Sequence, residues 1–85
     1  MMTANEARAM VENYNEEIKN QNKAKANEIA DKIGKEIQKR AEQGFEIYTI
    51  KVSGVNKEVL NILGDIIFQA GYRIEREDSV FVIEW

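Results

Sequence analysis

The sequence contains no cysteine, no histidine and no proline. Without cysteine there is no disulfide framework, and without cysteine and histidine the usual zinc ligands are missing. Nucleophilic catalysis of the serine–histidine or cysteine–histidine type has lost its base for the same reason. Long apolar runs are absent too. Nothing approaches the ~20 residues that cross a bilayer, and no signal-peptide pattern opens the chain, so the default expectation is a cytoplasmic protein. Positive charge is in deficit: the net charge is −3 and the pI about 5.0. This balance argues against a chain dedicated to nucleic acid or to an anionic membrane.

What is present suits a single small domain over residues 1–85. A chain of 85 residues buries only a modest fraction of its unfolded surface, so it gains from extra support. With disulfides and zinc gone, self-association is the support that remains. Charged residues make up 32% of the sequence, and with no proline to break them this favours long helices.

Thr3 followed by Glu6 matches a capping box at a helix start. From there Ala7, Val11, Tyr14 and Ile18 recur at helical spacing, as do Ala26, Ile29, Ala30, Ile33, Ile37 and Ala41. Gly44 is a natural stop. Between the two runs, "KNQNKAK" loses its apolar stripe for more than a turn. The reading is a helical arm over residues 3–43, continuous or broken near 19–25. Unbroken, it would be about 60 Å long, more than the rest of the chain can cover.

Residues 45–85 read as a β-α-β-β unit. "GFEIYTIKVSG" is a strand with Tyr48, Ile50 and Val52 on one face and Phe45, Ile47 and Thr49 on the other. Asn56 caps a helix running to about Ala70, with Val59, Leu63, Ile66 and Ala70 as its main stripe, flanked by Leu60, Ile62 and Ile67. A short strand from Tyr72 to Glu75, a turn at "REDS" and a last strand from Val80 to Trp85 complete the chain. The strand-helix-strand crossover makes the first two strands run in the same direction. The hairpin then places the third strand between them. The fold class is α+β, with a three-stranded mixed sheet of order 1-3-2. The near-continuous apolar run of the last strand predicts burial on both faces, with Trp85 as core or sheet-end packing.

Catalytic candidates are sparse. Ser53 and Ser79 lie in turns, where serine is ordinary, and "KVSGVNKE" falls well short of a phosphate-binding loop. The acidic groups Glu16–Glu17 and Glu75/Glu77/Asp78 are expected to be solvated. The expectation is a non-enzymatic protein that needs no cofactor and no metal.

Binding candidates are better defined. Residues 3–18 carry Arg8 against Glu6, Glu12, Glu16 and Glu17, a net of −3, whereas residues 19–40 carry seven Lys/Arg against Glu28, Asp31 and Glu36, a net of +4. A nucleic-acid stripe is the weaker reading of the basic half. Glu28–Lys32, Asp31–Lys35 and Glu36–Arg40 are favourable i,i+4 pairs, and no aromatics interleave with the lysines. Helices that are acidic first and basic last attract one another when laid antiparallel. Ala26, Ala30 and Gly34 form a small-residue ridge, and glycine inside a helix costs ~1 kcal/mol relative to alanine. These features make Val11, Tyr14, Ile18, Ala26, Ala30, Ile33, Gly34 and Ile37 the candidate oligomer interface, with packing on the chain's own sheet as the alternative for the ridge. Phe68 falls on the polar side of its helix among Asn61, Gly64 and Asp65. Those four residues are the candidate surface for a partner, unless the first helix covers them.

"MTANEAR" at one end, and "GYRIERED" and "VIEW" at the other, resemble the termini of small accessory proteins encoded by bacteriophages. The resemblance implies an intracellular protein of an infected bacterium that binds a host factor, blocks a defence system or sequesters a small signalling molecule. It supplies no catalytic residue. The sequence reading is therefore a homo-oligomeric binding protein with no membrane partner. The alternatives are a virion structural or assembly protein and a nucleic-acid-associated regulator.

Overall fold

In the computed structural model, which describes residues 1–77 and 79–85, a single helix α1 runs from Ala4 to Glu42 without a break. Its start is the expected one, because the Thr3 hydroxyl accepts a hydrogen bond from the Glu6 backbone N–H at 3.2 Å and relieves one of the orphan donors of the first turn. At the other end the N–H groups of Gly44 and Phe45 bond the Ala41 and Arg40 carbonyls at 3.0 and 2.9 Å. Gly44 has φ +86°, a left-handed conformation that a Cβ would strain.

The polar stretch at residues 19–25 does not break the helix, and the structure gives it a use. Asn22 ties α1 to the start of the second helix, α2 (Lys57–Gln69). Its amide donates to Glu58 at 3.1 Å and its oxygen accepts from the Asn56 side chain at 3.3 Å. Asn56 in turn caps α2, its oxygen accepting from the Val59 N–H at 2.9 Å. The apolar stripe lapses where α1 reaches the end of the folded body.

Strands β1 (Ile47–Lys51), β2 (Arg73–Glu77) and β3 (Val80–Glu84) form a sheet of order β1-β3-β2, as the connectivity requires. Both ladders are antiparallel. β1 and β2 run in the same direction, but β3 separates them, so the expected mixed sheet contains no parallel ladder. β2 also extends further than its sequence predicts. Arg76 and Glu77, assigned to the "REDS" turn, pair with Phe81 and Val80. The reason lies in the side chain of Arg76, which sits over the Phe81 ring at 5.3 Å and donates to Asn61 on α2 at 2.9 Å. Asp78 of that turn lies outside the described residues.

Both helices pack on one face of this sheet. The core is Ala26, Ile33 and Ile37 from α1, Val59, Leu63 and Ile67 from α2, Phe81 and Ile83 from β3, and Val52 just past the end of β1. Ile67, rather than Ala70, completes the α2 stripe, because Ala70 is the exposed cap residue beyond the helix end. On β1 the face choice is as expected, with Tyr48 and Ile50 against the core and Ile47 and Thr49 outside. The last strand departs from expectation. Phe81 and Ile83 are buried but Val80 and Val82 are only half-buried, because no second layer covers the opposite face. The alternation expected of a one-sided antiparallel sheet applies instead. Trp85 packs at the sheet end, edge-on to Tyr72 with ring centroids 6.2 Å apart, and its backbone N–H donates to the Glu46 carbonyl at 3.1 Å.

Candidate interaction site

Where α1 leaves the body, it continues as a free arm. Every residue from Met1 to Glu17 is exposed, and Ile18 is the first to be half-buried. Residues 4–17 amount to roughly 20 Å of helix, and they account for much of the 64 Å long axis of a molecule only 22 by 19 Å across. The arm carries Met10, Val11 and Tyr14 at 59%, 58% and 62% exposure. Three large apolar side chains within five residues, on an element with nothing beneath it, form a concentrated exposed apolar patch.

The eight candidate interface residues divide at this boundary. Val11 and Tyr14 stand open on the arm and Ile18 marks its root. Ala26, Ile33 and Ile37 belong to the protein's own core, with Ala30 packed against it. These four are a correction: the sheet and α2 already cover that face, so it offers no free surface to a second copy. Gly34 is exposed, and a Cβ placed there would meet nothing within 4 Å. The close backbone approach proposed for it is therefore not made within the chain. Instead Gly34 borders an open groove of about 470 Å³ with Ile37, Ala41, Ala70, Tyr72 and Trp85.

Phe68 is 68% exposed and α1 does not cover it. Asp65 beside it is also exposed, Gly64 is half-buried, and Asn61 is engaged by Arg76. The four residues do share one outer face of α2, but Phe68 is its only large apolar group. Phe45 and Ile47 are likewise exposed, at 51% and 46%, on the uncovered side of the sheet. Met10 was legible in the sequence as the i,i+4 neighbour of Tyr14.

Electrostatics follow the sequence only in part. Lys32 pairs with Glu28 at 3.7 Å, both exposed. Arg40 turns away from Glu36 to lie 4.5 Å over the Tyr48 ring, and Lys39 takes Glu36 at 3.6 Å. Exposed pairs of this kind contribute less than about 1 kcal/mol, so Lys32, Lys35 and Lys39 remain available for other charges. Among the described residues no group of three acidic, histidine or cysteine side chains could hold a metal, and no helix is long and apolar enough to cross a membrane. Comparisons with protein families, with curated proteins and with solved structures find no match to this chain.

Proposed function

We propose that this is a binding protein without catalytic activity, and that its helical arm is the element that engages another protein. One observation carries the reading: the first third of a 39-residue helix, residues 4–17, packs on nothing while displaying Met10, Val11 and Tyr14. A helical segment of about 14 residues with no packing partner is marginal in water, since helices in proteins draw most of their stability from packing an apolar face. A patch built around an aromatic side chain and rimmed by charge is also the usual composition of a contact hot spot. In the setting implied by the terminal resemblance, a bacteriophage accessory protein, such an arm would act on host proteins or on the assembly of the protein itself.

The test is photo-crosslinking in cells. A photoreactive residue at position 14 of the full chain should give covalent protein adducts on irradiation, and the same residue at exposed Lys57 should give few. Equal, background-level labelling at both positions would refute the arm as a binding element.

A further inference from the structure

We propose that the arm docks on a second copy of this chain, laid antiparallel, so that residues 3–18 of each protomer run along residues 19–40 of the other. The inference rests on the arm being the binding element and names its occupant.

Charge selects both the occupant and its direction. The arm holds a net −3, from one arginine and four glutamates, and the following segment a net +4, from seven basic and three acidic residues. Two arms paired with each other would set −3 against −3. Two full helices laid parallel would oppose like charges along their whole length. Only the antiparallel arrangement sets acidic against basic, and it does so twice about the two-fold axis. Packed helices lie 8–10 Å apart, close to the ~8 Å screening length at physiological ionic strength, so the attraction acts at contact and weakens with salt.

The surface needed is open. Continuing the Val11 and Ile18 line at helical spacing leads past Lys25, Lys32 and Glu36, with Ile29 alongside. Lys25 and Lys32 are exposed, and Ile29 and Glu36 are half-buried. This strip runs beside the buried Ala26/Ile33/Ile37 face: Ile29 packs against that face and keeps only its outer edge free, while Lys25 and Lys32 lie outside it. Lysine stems there can cover apolar side chains while their ammonium groups stay in water. With Asn20 of one helix beside Asn20 of the other, Val11 comes level with the second copy's Ile29. Glu17, at the flank of the strip, comes level with residue 23, within a turn of Lys25. Glu12 meets the level of Glu28, whose charge Lys32 already offsets at 3.7 Å. The axis then falls in the amide-rich stretch Asn20–Gln21, which accounts for an uncharged, exposed pair between the acidic and basic halves.

Area points the same way. A stable interface takes roughly 800 Å² from each partner, whereas Met10, Val11 and Tyr14, each about 60% exposed, together supply at most roughly 450 Å². One arm patch therefore falls short on its own. A reciprocal pairing uses the patch of both protomers and the helix surface between them.

Sedimentation equilibrium of the full chain with paired charge reversals tests the proposal. The wild type should sediment at twice its 9.8 kDa chain mass, with a dissociation constant that rises with salt. The arm variant E12K/E16K/E17K and the body variant K19E/K23E/K25E, whose lysines lie nearest the level of those glutamates, should each bind themselves at least tenfold more weakly. Mixed in equal amounts they should recover a dimer, because each then meets opposite charge along both helices. The variant V11E/Y14E, altered only at exposed positions, should be folded by circular dichroism and monomeric. A wild type that stays at 9.8 kDa up to millimolar concentration would overturn the proposal, as would reversal variants that dimerise like the wild type or fail to pair when mixed. If the chain is monomeric while position 14 still crosslinks to other proteins, the second copy is refuted and the arm's binding role stands.

Discussion

Phe81 and Val82 are neighbours on the central strand, chemically similar in the sequence, and they should respond to truncation very differently. Phe81 is 1% exposed beneath both helices, with the Arg76 guanidinium 5.3 Å from its ring centre. Replacing it with alanine removes a buried aromatic and leaves a cavity that the surrounding Ile33, Leu63 and Ile83 can only partly close, a loss of about 3–5 kcal/mol. A chain of this size has a total stability on the order of 4–13 kcal/mol, so the variant should lie at or near the edge of folding. For a domain of 60–100 residues each kcal/mol corresponds to about 4–8 °C, so the midpoint should fall by roughly 12–40 °C. Phe81→Leu keeps much of the apolar volume but leaves a smaller void and loses the ring under Arg76, an interaction of about 0.5–1 kcal/mol, and should be milder than the alanine variant. Val82→Ala strips two methyl groups from the uncovered face of the sheet and should cost less than about 1 kcal/mol. The assay is thermal and urea unfolding followed by circular dichroism at a protein concentration where the chain is monomeric. If Val82→Ala destabilises as much as Phe81→Ala, the outer face of the sheet is covered and a one-layer account of the core is wrong.

Four further outcomes follow from the same geometry. Deleting residues 1–17, all of them exposed, should leave the monomer's urea midpoint within the change expected of surface alterations, about 0.5 kcal/mol. Asn56→Ala removes the α2 cap and the contact with Asn22, and should cost about 1–2 kcal/mol in the same assay, whereas Asn56→Asp, which keeps the capping oxygen, should recover most of the loss. Gly34→Ala should stabilise by up to about 1 kcal/mol, because the position is mid-helix with open space around it; a destabilised variant would show that another backbone does approach there. Phe68→Ser should change the melting temperature of the monomer little, since the ring is 68% exposed, and a large drop would mean that the ring is covered.

Much of the fold was readable because the controlling interactions are local. Thr3 and Asn56 announce helix starts through a hydroxyl or amide that reaches only three residues ahead, and Gly44 announces a stop by tolerating a conformation that other residues resist. The strand order was legible as well, since one crossover and one hairpin leave few ways to pair three strands. The candidate site was legible only in half. Val11 and Tyr14 lie on the arm as the spacing implied. Ile33 and Ile37 show the same spacing in the same helix, yet they are core.

By itself the sequence determined where the elements fall, their caps, their order and the opposed charge of the two halves of α1, but not the continuity of α1 through residues 19–25 or the extent of β2. Tertiary structure decided which apolar stripe would be covered. The Asn22–Glu58 and Asn22–Asn56 bonds join residues 36 and 34 positions apart, and they fix the end of the body at α1's midpoint. The sheet, with its two helices on one side only, left Val82 half-open and made Phe81 core. Periodicity states that a face is apolar; only the packing of segments distant in the chain states what lies against it.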